Sequence, residues 1–190
     1  FNDMTSNHLM SIFLGTPFID VRVDFNSWLP KNLNQSTKEK LINYYLNIFK
    51  NNNDYHDKIE FKILFTSFNA ETNDRLKQIN SNNISLKEKK KISKELKEIT
   101  LKAIFKIDEE IKKIRILKTK QDDVKKSKLY AIDKIYWYIE DCKRYGTEPF
   151  AGLARSGFIS VEILNSLVNK KIIKKKEKDV FLQSIQTITM

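Results

Sequence analysis

Apolar and polar residues alternate along the first part of the chain and then change period. In "SIFLGTPFIDVRVD", residues 11–24, Phe18, Asp20, Arg22 and Asp24 alternate with Ile19, Val21 and Val23. That period of two predicts two short strands around a Gly-Thr-Pro turn, with Pro17 at a turn position. Leu41, Tyr44, Tyr45 and Ile48 then mark one face of a helix near 37–50, with Ser36 or Thr37 as its N-cap. "KIEFKILF", residues 58–65, alternates again through Ile59, Phe61, Ile63 and Phe65 and predicts a third strand. From Ser85 the period becomes helical. Ser85 and Glu88 have the spacing of a capping box. Apolar residues follow at Ile92, Leu96, Ile99, Ala103, Ile107, Ile111, Ile114 and Leu117, in steps of three and four that predict one long helix. "QDD" at 121–123 begins another, carried by Leu129, Ile132, Tyr136, Ile139 and Cys142. A third runs from about Pro149 to Asn169, and a short last one covers about 175–188. The fold class predicted is α+β and predominantly α: a small antiparallel sheet near the N-terminus packed on a helical bundle with one long helix. Residues 1–190 read as a single unit, with sheet and helix in 1–80 and the bundle in 81–190.

Composition narrows the classes. With 41% hydrophobic and 11% aromatic residues the chain has the makings of a core and no disorder signature. The single Cys142 excludes an internal disulfide framework and any multi-cysteine metal site, which points to a reducing, cytoplasmic setting. No apolar run approaches a membrane span. The chain opens on Phe1 in mid-pattern, as a segment of a longer protein would. The net charge of +11 is concentrated in two Lys-rich helical stretches, 85–128 and 170–178, and lysine outnumbers arginine thirty to five. Phosphate-reading surfaces draw on the bidentate fork of arginine, so solvated helix faces explain this charge better. A basic helical module for nucleic acid or another polyanion is the alternative reading. Interleaved acids along 85–128 and the absence of an aromatic platform there count against it.

Candidate chemistry gathers in two places. "DCKRYGTEPFAGLARSGF", residues 141–158, holds three of the four glycines, Pro149, and two of the five arginines, Arg144 and Arg155. Gly146 has the spacing of a helix terminator, Thr147 that of a cap and Pro149 that of a first-turn residue, so "YGTEP" predicts a corner between two helices. In the following helix Phe150, Ala154, Gly157, Val161, Leu164 and Val168 form a stripe whose small members admit a neighbouring backbone. A tight corner accounts for all of this structurally. The functional reading adds that a helix N-terminus flanked by Arg144 and Arg155, with Asp141 to orient a guanidinium, suits a carboxylate or phosphate. The second place is the strand face of Asp20, Arg22 and Asp24, followed by Asn26, Ser27 and Trp28. Elsewhere, His8 and His56 have no metal-ligand spacing, Cys142 reads as a buried inert thiol, and no phosphate loop or nucleophile elbow occurs.

Three stretches together carry a resemblance. "GTPFIDVRVDFNSWLP", "YHDKIEFKILF" and "IEDCKRYGTEPFAGLARSGFISVEILNSLV", in that order, resemble the central region of phosphoenolpyruvate-synthase-like phosphotransferases, the bacterial glutamine kinases of capsule biosynthesis among them. The likeness is strongest at 15–30 and 136–168 and weak across 85–128. It implies a three-part enzyme: an ATP-grasp-like domain that binds ATP and magnesium, a swivelling domain with a phosphorylated histidine, and a middle region that holds a small-molecule acceptor. ATP is split to AMP on the way. This chain has neither the nucleotide loop nor a phosphohistidine motif, so it carries no catalytic residue or cofactor of its own under this resemblance. Asp20, Arg22, Asn26, Ser27, Asp141, Arg144, Tyr145 and Arg155 are the substrate-binding candidates that the motifs imply. The arginines would steady a carboxylate or phosphoryl oxygens, and Asn26 and Ser27 would bond an amide or carboxylate.

Overall fold

The computed structural model describes residues 8–80 and 83–185, and its only sheet is one hairpin. Strands β1 (Met10–Phe13) and β2 (Thr16–Ile19) pair antiparallel with Met10 opposite Ile19 and Phe13 opposite Thr16. The turn is Leu14-Gly15, not Gly-Thr-Pro. Both residues have positive φ, 50° and 79°, which matches the twist of the flanking strands. Pro17 lies within β2, opposite Ile12, which a two-stranded ribbon tolerates because each strand is an edge. Every strand residue is exposed, and the Phe13 and Phe18 rings meet edge to face at 5.6 Å.

The alternation stops at Ile19. Residues 21–27 are not strand but helix α1 (Val21–Ser27), because the Asp20 carboxylate accepts the N–H groups of Arg22 and Val23 at 2.9 and 3.1 Å. Helix spacing then turns Val21, Phe25 and Trp28 to the core together. α2 (Gln35–Asn51) is capped two or three residues earlier than expected, by Asn34, whose Oδ1 accepts the Thr37 N–H at 2.7 Å. The predicted third strand is absent. Ile59–Lys62 form a helical turn, α3, and Ile63, Leu64 and Phe65 after it are all buried rather than alternating. Among the described residues no strand pairs with this buried backbone. Side chains satisfy it: the Tyr45 hydroxyl accepts the Phe65 N–H at 3.2 Å, and Thr100 Oγ1 accepts that of Phe68 at 2.8 Å.

After α4 (Thr72–Gln78), the Ser85–Glu88 capping box opens α5 (Leu86–Lys126), a helix of about 60 Å at 1.5 Å per residue. It runs straight through the "QDD" that was expected to start a new helix and ends at Ser127. The chain then reverses into α6 (Ala131–Asp141), which continues through a π-helical turn (Cys142–Gly146) into α7 (Thr147–Asn169). α6 and α7 return antiparallel along α5: a Cβ on Gly146 would meet Leu117, one on Gly152 would meet Glu110, and Ser156 Oγ donates to the Ala103 carbonyl. α8 (Lys175–Ser184) closes the described chain and buries no residue; residues 186–188 of the predicted last helix lie outside the described residues.

The core sits at one end of this long helical hairpin. Phe25, Leu41, Tyr45, Ile63, Leu64, Leu76, Ile84, Ile92 and Leu96 join α1, α2, α4 and the first turns of α5 in one buried cluster. Beyond it, Ala103, Ile107, Ile114 and Leu117 of the predicted α5 stripe are half-buried and Ile111 is exposed, while α6 turns Ile132, Ile135, Tyr136 and Ile139 to the outside. Cys142 is exposed, contrary to its expected burial. α7 also faces inward differently from the predicted stripe. Its buried residues are Pro149, Ser156, Ile159, Glu162 and Ser166, and Phe150 is exposed.

Candidate functional site

The capping of α1 by Asp20 does more than start a helix. It puts Arg22 and Asn26, four residues apart, on one face, and Asp20 at the end of that face. α2 opposes it with Gln35, Glu39, Ile42 and Asn43, which share a face by the same spacing. Between them lies an open cleft of about 590 Å³ lined by these seven residues and Val23. Gln35 Nε2 donates to Glu39 Oε1 at 2.9 Å, which holds the glutamate along the wall. Arg22 is exposed and forms no ion pair among the described residues. The cleft therefore offers one uncommitted guanidinium, two carboxylates, three side-chain amides and an apolar floor. That set complements a small zwitterion bearing an amide or carboxyl tail.

The other predicted residues stand apart from it. Ser27 Oγ donates to the Asp24 carbonyl at 2.7 Å and does not line the cleft. Asp141 is buried at the far end of the long hairpin, beside Lys120 and Trp137. Tyr145 lies there too, with Lys120 Nζ 5.9 Å from its ring centre. Arg144 is exposed, with Nη2 3.4 Å from Glu140 Oε2. Arg155 stacks over the Trp28 ring at 5.3 Å; desolvation lowers its pKa, and its Nε has no hydrogen-bond partner. Along one continuous helical rod Arg144 and Arg155 are about 16 Å apart at 1.5 Å per residue. The corner expected to join them does not form. Gly146 is right-handed helical, and the Thr147 N–H bonds the Cys142 carbonyl five residues back. With the backbone unbroken, no helix N-terminus is presented to an anion.

A second cleft, of about 420 Å³, opens where α3, α4, α7 and α8 meet. Its inner wall holds Glu162, only 7% exposed, whose Oε2 has the Asn69 amide at 3.5 Å. Burial pushes the Glu162 carboxyl up to about 7, against the pull of Arg75 and Lys62 and with a push from Glu71. Arg75 is clamped, with Nη2 donating to the Ile63 and Leu64 carbonyls at 3.3 and 3.2 Å and its guanidinium 4.6 Å from the Phe65 ring centre. Sequence reasoning passed over Glu162, although a signal existed: Arg155 and Glu162 are the only charged residues between 149 and 169.

No family model, curated protein or solved structure matches the chain. The functional reading accordingly rests on these side chains. Among the described residues no cluster of three or more His, Cys, Asp or Glu could hold a metal ion, and no helix is long and apolar enough to cross a membrane.

Proposed function

We propose that this chain is the acceptor-binding middle region of an ATP-dependent phosphotransferase of the phosphoenolpyruvate-synthase-like kind, with the acceptor held between α1 and α2. One observation carries the reading. Asp20, Arg22 and Asn26, three of the four candidates from the first motif, line a single cleft with Gln35, Glu39 and Asn43. An amino-acid acceptor such as glutamine meets a partner for each of its groups there: Arg22 for the carboxylate, Asp20 or Glu39 for the ammonium, and the Asn and Gln amides for the side chain. ATP and magnesium belong to a companion ATP-grasp-like domain, and the phosphohistidine to a swivelling domain of the same protein. The exposed apolar residues of α6 and of the β1–β2 hairpin support such companions, since contiguous apolar surface of this kind marks an interface.

The test is a titration of the 190-residue chain with glutamine, glutamate and pyruvate, followed by NMR shifts. Saturable shifts at Asn26 and Asn43 with one of them, lost in Arg22→Ala, are expected. No saturable shift with any of the three would overturn the acceptor assignment. The polyanion reading gains nothing from the geometry, because α5 lysines lie beside acids, Lys113 near Glu109 and Glu148 and Lys118 near Asp122. A gel shift at low salt separates the two readings.

A further inference from the structure

Four cations from three elements surround the second cleft: Lys62 from α3, Arg75 from α4, and Lys175 and Lys178 from α8. Two acids face them, Glu71 and Glu162. The Glu71 carboxylate accepts the Asn169 amide at 2.9 Å. Among the described residues Lys62, Lys175 and Lys178 form no ion pair; Lys178 Nζ meets only the neutral Asn165 Oδ1, at 3.2 Å. Gathering unpaired cations around a hollow costs free energy unless something negative enters it. Core packing does not force the gathering either, because α8 buries no residue and so has no apolar reason to lie over the cleft.

The geometry points to a second binding site, between α4, α7 and α8, for a small molecule carrying a compact dianionic group, a phosphate or a pair of carboxylates. Arg75, Lys62, Lys175 and Lys178 grip the anion, and Glu162 beneath them contacts it as a proton donor. Arg75 suits the task because two backbone carbonyls and the Phe65 ring already hold its guanidinium, leaving little side-chain entropy to lose on binding. Glu162 suits it because a protonated carboxyl donates a hydrogen bond, whereas a carboxylate repels the ligand. The charged groups acting on Glu162 are Arg75, Glu71 and Lys62; Lys175 and Lys178 line the same cleft, and α5 contributes no residue to its wall. An arriving anion favours the protonated form of Glu162, so binding takes up a proton and weakens as pH rises through neutrality.

Sulfate is the probe, since it does not titrate in this range. The 190-residue chain is titrated with sulfate at pH 6 and at pH 8, at constant ionic strength made up with chloride, and read by calorimetry. Saturable binding is expected, weaker at pH 8 by about tenfold, the value of one charge-assisted contact. Lys175→Ala/Lys178→Ala, on a helix with no buried residue, should weaken binding at pH 6 by at least about tenfold on the same basis. Glu162→Gln should keep binding and lose its pH dependence, while Lys118→Ala, outside the cleft, changes nothing. Sulfate against succinate at pH 6, where both are mainly dianionic, then decides whether the site prefers a tetrahedral oxyanion or a pair of carboxylates. Absence of saturable binding overturns the site. Binding untouched by the double lysine variant, or a pH dependence that survives Glu162→Gln, does so equally.

Discussion

Gly152 packs against the stem of Glu110: a Cβ there would stand 3.2 Å from both Cγ and Cδ of the glutamate. Glu110 is itself buried between α5 and α7, with no hydrogen bond to Oε2 and Lys113 Nζ 3.6 Å from it. The absent side chain is thus what lets the two helices close over a carboxylate. Gly157, five residues on, has nothing within 4 Å of a built Cβ. Gly157→Ala should therefore stabilise the fold by about 0.5–1 kcal/mol through helix propensity alone. Gly152→Val should destabilise it by about 1–3 kcal/mol through overpacking. Urea melts of both variants check the contrast, and equal effects would contradict the close approach.

Tyr45 is 1% exposed, and its hydroxyl is the partner of the Phe65 N–H. Burial raises the phenol pKa. Tyr45→Phe leaves the ring packing intact but orphans a buried donor, at a cost of about 1–3 kcal/mol. The urea midpoint should fall with an unchanged slope. A silent substitution would mean that the 63–68 backbone finds another partner.

Two glutamates should bend the stability–pH profile at opposite ends. The folded value of Glu162 lies near 7, above its ordinary 4.5. Its contribution is full below about pH 4.5 and is lost as pH rises through 7, a decline of about 2–3 kcal/mol that Glu162→Gln should flatten. Glu88 goes the other way. Hydrogen bonds from Lys40, and from the Ser85 backbone and hydroxyl, hold it down near 2, so its contribution is present above 4.5 and lost as pH falls toward 2. Melting temperatures from pH 2 to 8, for the wild type and both Gln variants, test each limb separately.

Arg155 and Arg144 should respond differently to truncation. Arg155 lies over Trp28, at the end of α1, and is partly buried, so Arg155→Ala should cost about 1 kcal/mol and alter Trp28 fluorescence. Arg144 is exposed beside Glu140, and its removal should stay within about 0.5 kcal/mol. Thermal melts and emission spectra of the two variants provide the check.

Some of this was legible along the chain because local physics decides it. The Ser85–Glu88 box and the three-four spacing after it specify α5 from within a few residues, and capping and amphipathic periodicity act over that same range. The failures fall where two local readings compete. Residues 18–24 satisfy a period of two, yet Val21, Phe25 and Trp28 also satisfy helix spacing, and the Asp20 cap with burial of Phe25 settles it for the helix. At 146–149, Gly-Thr-x-Pro fits a corner as well as a first turn, and with Gly146 packed against Leu117 the backbone stays helical.

The sequence by itself determined the long helix and its cap and the presence, though not the turn, of the early hairpin, and it supplied candidate residues for an anion or an amide. Tertiary structure alone decided which of those residues meet. Arg22 shares a cleft with Asn26 because one helical turn joins them, and with Glu39 because α1 packs on α2. Arg144 and Arg155 part company because one unbroken helix carries both. The second cleft rests on contacts between residues almost a hundred positions apart, such as Asn69 with Glu162, and no local periodicity encodes a meeting at that separation.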